Sequence, residues 1–228
     1  MNIDIIFSDP DVLAIDKPSG LLTIPDGYHP DLPCAIHLLQ ESQGQLWVVH
    51  RLDKETSGVL LFARNAYTHK FLNEQFQNRQ VQKIYRAIIA GTPDWDRQAI
   101  DLPLKVNGDR KHRTRVNMAD SKPAQTDITV MTRFPGYTLI EARPHTGYTH
   151  QIRAHLAAMG FPIVCDPLYD QHASDHAHIL SRLGLHAFQI SFLLPDFAVP
   201  MTLIAPYSDD FQAGLNRLAP VKVNKPTE

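Results

Sequence analysis

"WVVHRLDKETSGVLLFARN", Trp47 to Asn65, decides how the chain is read. Two apolar runs, Leu46–Val49 and Val59–Phe62, have the β-branched and aliphatic content of strands. Between them lie His50, Arg51, Asp53 and then Thr56-Ser57-Gly58. Loops carried by a rigid sheet are where binding and catalytic groups concentrate. A solvated turn in which Asp53 caps nearby backbone N–H groups has the same composition. The residues of this stretch fit both readings.

Working outward, Ile3–Phe7 and Val12–Ile15 are short apolar runs around Ser8-Asp9-Pro10-Asp11, a hairpin pattern. A turn-rich loop follows from Asp16 to Gly27. Pro33–Ser42 reads as a helix with Pro33 in its first turn. Ala66–Arg79 reads as another, with Tyr67, Phe71, Leu72 and Phe76 on one stripe. Lys83–Ala90 is a strand, and residues 93–123 look irregular. Thr126–Arg133 and Thr138–Ala142 are strands joined by the turn Phe134-Pro135-Gly136-Tyr137. Thr149–Met159 is a helix with Thr149 near its N-cap and Gly160 after it. Leu183–Leu194 and Met201–Ile204 complete the strands. Strands outnumber helices and several are joined by hairpins. The predicted fold is therefore α+β, with a mixed, mainly antiparallel central sheet flanked by helices and loops. No composition shift marks a boundary, so residues 1–220 are predicted to form one domain and 221–228 a flexible tail.

A chain of 228 residues with 43% hydrophobic and 20% charged side chains belongs among globular rather than disordered proteins. No run of 18 apolar residues is present, so no membrane helix is expected. Met1-Asn2-Ile3-Asp4 lacks a basic n-region, and Cys34 and Cys165 form no close pair. A cytoplasmic monomer with free thiols is expected. The net charge is −2, but residues 103–115 hold Lys105, Arg110, Lys111, Arg113 and Arg115 against Asp109 alone. That local +4 leaves −6 for the rest, as in a protein that grips an anion in one place. A solvated loop with incidental charge has the same composition.

Neither G-x-x-x-x-G-K-[ST] nor G-x-G-x-x-G occurs, which disfavours nucleotide hydrolysis and dinucleotide binding. "DQHASDHAH" places His172, Asp175, His176 and His178 together, and imidazoles four apart can share zinc. It lacks H-E-x-x-H and a cysteine pair, so a solvated loop is the better reading and no metal ligand is assigned. Ser57 lies in T-S-G rather than G-x-S-x-G, a weak nucleophile pattern. Arg153 falls beside the apolar stripe Ile152, Leu156 and Met159, and a half-buried Arg needs a carboxylate or phosphate partner.

"HRLDKETSG" (50–58) resembles the H-R-L-D-x-x-T-S-G signature of the RluA family of RNA pseudouridine synthases. Further blocks follow in family order: "DKPSGLLTIP" (16–25), "QKIYRAIIAG" (82–91), "KPAQTDITV" (122–130), "PHTGYTHQIRAHLAAMGFPIVCDPLY" (144–169) and "LGLHAFQISF" (183–192). Two positions depart from it. Tyr148 stands where the family usually has Arg, and Cys165 where it usually has Gly. The blocks begin within twenty residues of Met1, so a compact member without the S4 RNA-binding domain is expected.

The resemblance implies an isomerase with a cleft across its sheet. The C1′–N1 bond of a uridine breaks and C1′ rejoins the base at C5, without cofactor or redox change. It implies Asp53 as catalytic carboxylate, Arg153 as the cation that favours its charged form, and Tyr85 as the ring that stacks on the base. The uridine must flip out of its helix to be reached. His50, Arg51, Lys105, Arg110, Lys111, Arg113 and Arg115 are the expected RNA contacts, with binding that falls steeply with salt. "KPAQT" and "DLPL" lean toward large-subunit rRNA and a tRNA stem-loop as substrates, and Tyr148 counts against that transfer. Two other readings stay open: an RNA-binding protein of this fold without catalysis, and a metal hydrolase built on the histidine cluster.

Overall fold

The segment that follows the HRLD loop, Ser57–Ala63, is buried along its whole length. A strand buried on both faces has neighbours on both edges and layers above and below it. The computed structural model, which describes residues 3–106, 108–109, 113–116 and 119–218, places it near the middle of a ten-stranded sheet. The first half of the chain contributes β1 (Asp4–Ser8), β2 (Val12–Lys17), α1 (Ala35–Gln43), β3 (Trp47–Val48), β4 (Ser57–Ala63), α2 (Ala66–Gln77) and β5 (Gln82–Ala90). Then come β6 (Arg97–Asp101), β7 (Leu104–Lys105), β8 (Arg115–Val116), β9 (Gln125–Phe134), β10 (Tyr137–Pro144), α3 (Gln151–Ala158), β11 (Leu185–Phe192), β12 (Met201–Ile204) and α4 (Asp209–Arg217).

The sheet runs β1-β2-β4-β11-β5-β10-β9-β6, with β3 on β4, β12 on β11, and a separate β7–β8 ribbon. Every pairing is antiparallel except β4 with β11. The expected α+β class and mainly antiparallel sheet are what the chain adopts. At the parallel contact Gly58 has φ +110°, and an added Cβ would lie 2.2 Å from the Ala187 carbonyl oxygen. Only glycine fits there. Beside it, Ser57 Oγ and His186 Nδ1 lie 2.9 Å apart, and His186 Nε2 lies 3.2 Å from the Ala205 oxygen. The T-S-G of the opening stretch is thus the seam between the two halves of the sheet.

Three packed clusters hold the layers. α1 and α2 cover β2 and β4 through Ala35, Ile36, Leu39 and Leu72. α3 covers β5, β9 and β10 through Ile152 and Leu156. α4 covers the other face of β5, where Phe211 meets Ile88 and Val164. Successive residues of a strand face opposite layers. Ala87 and Ile89 accordingly pack with α3 and Ile88 with α4.

Several sequence expectations change in detail. α2 buries Thr68, Leu72 and Gln75, while Tyr67 is exposed. Thr68 donates to Asp11 Oδ1 at 2.8 Å, and Gln75 exchanges hydrogen bonds with the backbone of Leu193. Satisfied polar residues thereby take part of the face that the apolar stripe assigned to Tyr67. α1 begins at Ala35 after an N-cap at Cys34, so Pro33 precedes the helix. α3 begins at Gln151, and its N-cap is His150 in the left-handed conformation (φ 55°) rather than Thr149. Within 93–123, read as irregular, lie β6, β7 and β8. The expected tail, 221–228, lies outside the described residues.

Candidate active site

The loop between β3 and β4 is clamped from behind by the turn after β2. Thr23 Oγ1 donates to the Leu52 carbonyl at 3.0 Å and accepts from the Leu52 N–H at 3.2 Å. Gly20 N–H and Lys17 Nζ both donate to the Lys54 carbonyl, at 2.8 and 3.1 Å, and Ser19 Oγ donates to the Glu55 carbonyl at 2.6 Å. Thr56 N–H closes the turn on the Asp53 carbonyl at 3.1 Å. Lys17 is fully buried, and Nζ also donates to the Pro18 and Leu21 carbonyls. Burial pushes its ammonium down to about 7, against the pull of Glu55 and Asp53. The "DKPSG" block is the bracket that fixes where Asp53 stands.

Asp53 keeps about a quarter of its side chain exposed. Its Oδ2 accepts from Arg153 Nη1 at 3.1 Å and lies 3.7 Å from His150 Nε2. Among the described residues Oδ1 has no partner. Arg153 is 1% exposed and is gripped from the other side by Asp166, Nε to Oδ2 and Nη2 to Oδ1, both at 2.8 Å. Asp166 Oδ1 also accepts from the Leu168 and Tyr169 N–H groups. The guanidinium lies 5.3 Å from the centroid of the Tyr169 ring. Burial alone would lower Arg153. Its bonds and charge contacts with Asp166, and then with Asp53, hold it above its ordinary value. Burial likewise pushes the Tyr169 hydroxyl up to about 12 and outweighs the Asp53 charge in lowering His150.

Asp53, His150 and Arg153 line a cleft of about 920 Å³ bounded by the 22–28 turn, the HRLD loop, the start of β5 and the 144–153 segment, with Asp166 buried behind it. A cleft across the sheet was the expectation. Tyr85 enters it from β5. Burial and then the Asp53 charge raise its hydroxyl pKa, so the ring is present as the neutral phenol. Arg86, the next residue, lies 4.9 Å from the Phe188 ring centroid and pairs with Glu141.

The expected RNA contacts divide. Arg51 is exposed on the cleft and makes no hydrogen bond or ion pair among the described residues. Arg115 is exposed, and among the described residues the Lys105 ammonium has only a 4.0 Å contact with Asp120. Arg113 is committed to the fold: it pairs with Asp109 and donates to the Leu168 carbonyl at 3.0 Å. His50 is also committed. Its Nε2 accepts from the Leu61 N–H at 3.0 Å, its ring stacks on Phe76, and burial pushes the imidazole down to about 3. Arg110 and Lys111 lie outside the described residues.

In the histidine cluster, His172 lies 3.5 Å from Asp175, and the His176 and His178 rings both pack edge-on against Tyr137. His176 faces Tyr137 and Asp170, and His178 faces the Asp175 carbonyl. Among the described residues no three His, Cys, Asp or Glu side chains form a group that could hold a metal ion. Tyr148 packs on Leu104, Ala124 and Ala154, with the Lys122 ammonium 5.8 Å from its ring centroid. Cys165 adopts φ 59° and donates its thiol to the Leu180 carbonyl at 2.8 Å.

Sequence reasoning passed over Asp166 and the bracket residue Lys17. Asp166 had a readable signal, since a buried Arg tolerates a carboxylate on each side and "CDPLY" supplies one thirteen residues on.

Residues 11–158 match the family described as RNA pseudouridylate synthase. The chain is 38% identical over 198 residues to the dual-specificity RNA pseudouridine synthase RluA of Vibrio parahaemolyticus, covering 84% of this chain and 78% of that one. It is 36% identical to the ribosomal large subunit pseudouridine synthase D of Xanthomonas campestris, over 95% of this chain and 69% of that one. Among solved structures, human RNA pseudouridylate synthase domain containing 1 superposes with a TM-score of 0.79 at 25% identity, covering 98% and 91% of the two chains.

Proposed function

The chain belongs to the RNA pseudouridylate synthase family, and on that premise we propose that Asp53 is the carboxylate with which it isomerises uridines in rRNA or tRNA stem-loops. The observation that carries this reading is the chain of contacts Asp53–Arg153–Asp166 at the edge of the cleft. Arg153 is fixed by a buried carboxylate, so it has one remaining direction in which to offer charge. Asp53 stands in that direction, with Oδ2 engaged and Oδ1 free for the nucleoside.

In the proposed reaction the C1′–N1 bond breaks, the base turns, and C1′–C5 forms. The proton leaving C5 balances the one gained at N1. Asp53 acts on the nucleoside, Arg153 supplies the counter-charge, and the Tyr85 ring stacks on the flipped base. Base stacking of this kind contributes roughly 1–3 kcal/mol. A uridine inside a duplex would have to leave its stack to reach Asp53, and stem-loops make that step least unfavourable. The relatives' printed names, a dual-specificity RNA enzyme and a ribosomal large-subunit enzyme, support an RNA substrate and, for the second, rRNA; tRNA rests on the sequence blocks alone. The test is incubation with large-subunit rRNA and tRNA followed by position-by-position pseudouridine mapping. New pseudouridine at discrete loop uridines is expected. Its absence from every RNA supplied would overturn the reading.

A further inference from the structure

Lys83 lies two residues before Tyr85 on β5, so both side chains face the same layer and both line the cleft. Its Nζ donates to one protein acceptor, the Thr146 carbonyl at 3.2 Å. Among the described residues no carboxylate lies within ion-pair distance of it. An ammonium has three donors and a full charge, so among the described residues this partly exposed group has one acceptor and no counter-ion, and its remaining donors are left to the cleft. Burial pushes it down to about 8, and its charge in turn contributes to lowering His50.

Gly147 supplies an independent observation. Its φ is not in the left-handed region, so its backbone does not call for glycine. A Cβ there would meet the Lys83 ammonium at 3.5 Å and nothing else within 4 Å. Glycine at 147 leaves that face of the ammonium open to the cleft.

We propose that Lys83 is a binding residue for a backbone phosphate of the RNA, at or next to the nucleotide whose base stacks on Tyr85. The proposal rests on the pseudouridine synthase reading for the identity of the ligand. Two residues along a strand separate the side chains by about 7 Å, short enough for one nucleotide to touch both. The phosphate oxygens supply the missing charge and acceptors together. A purely structural Lys83 would only tether the Thr146 carbonyl.

The test measures equilibrium binding of a stem-loop RNA at pH 7, where Lys83 is mostly protonated, over a series of KCl concentrations. Wild type, Lys83→Gln, Lys83→Arg and Gly147→Val are compared. Lys83→Gln should bind roughly tenfold more weakly at low salt. Its slope of log K against log salt should be shallower by about 0.7, one single-strand phosphate contact. Lys83→Arg should keep the wild-type slope. Gly147→Val covers the ammonium without removing it and should behave like Lys83→Gln, which keeps the test open if the latter fails to fold. Equal slopes in wild type, Lys83→Gln and Gly147→Val would overturn the proposal, whatever happens to activity. Pseudouridine formation by the wild type on the same RNA scores the enzymatic reading separately.

Discussion

Arg153 has a carboxylate on each side of its guanidinium, and only Asp53 faces the cleft. That asymmetry makes Asp166 the strongest structural test at the scale of single residues. Removing one partner of a fully buried pair leaves the other uncompensated, which costs about 3–5 kcal/mol. Asp166→Asn should therefore lower the urea midpoint markedly and also lose pseudouridine formation in the fraction that stays folded. Full activity in a folded Asp166→Asn protein would show that Arg153 does not depend on it. That Asp53, Tyr85 and Arg153 share one cleft was legible because each sits in a quoted motif with a chemical reason for its residue type. Asp166 was passed over despite its signal, because one carboxylate already satisfied the expectation for Arg153. His50 was read as an RNA contact because a histidine beside Arg51 and Asp53 looks like part of a polar loop. Its ring instead bonds the backbone of β4, which needs the strand pairing to be known.

At the scale of elements, the seam between β4 and β11 carries a titratable group. Burial pushes the His186 imidazole down from its ordinary 6.5 to about 4, with hydrogen bonding to Ala205 opposing the shift. Above pH 6.5 the ring is neutral in the native and the unfolded chain alike. As pH falls from about 6.5 toward 4, the unfolded chain takes up a proton that the native ring does not, and stability is lost. The fall in urea midpoint between pH 7 and pH 4.5 should be smaller in His186→Asn than in wild type. Equal falls would show that the seam does not titrate in this range. The strands around this seam were legible from aliphatic runs such as Val59–Phe62. β6, Arg97–Asp101, was not, because an edge strand reading RQAID exposes most of its side chains and has little apolar pattern. α4 was missed because it is short, nine residues, and follows directly on the turn-rich end of β12. It packs through Phe211, Leu215 and Leu218 at helical spacing, and the Arg182–Asp210 ion pair also holds it.

For the whole molecule, one mainly antiparallel sheet places the 22–28 turn, the HRLD loop, β5 and the start of α3 around one cleft. Segments about a hundred residues apart, at Asp53 and Arg153, meet there at 3.1 Å. The order of the sequence blocks made the family and the fold class readable. It did not show that "DKPSG" and Thr23 clamp the HRLD loop through the Leu52, Lys54 and Glu55 carbonyls, because carbonyl contacts leave no residue signature beyond the donors. Net charge was equally uninformative: a chain at −2 still presents Arg51, Lys83, Lys105 and Arg115 toward solvent or the cleft.

The central claim is that Asp53 performs the chemistry rather than holding the loop. It is tested most directly by comparing wild type with Asp53→Asn on one RNA, scoring RNA binding and pseudouridine yield in the same samples. The clamp on the loop uses backbone carbonyls and leaves the Asp53 side chain out, so Asp53→Asn should fold and bind RNA nearly as wild type does. Its rate of pseudouridine formation should fall by on the order of a thousandfold or more, the scale of losing a group that acts only on the reacting atoms. A folded, RNA-binding Asp53→Asn protein that makes pseudouridine at the wild-type rate would contradict the account.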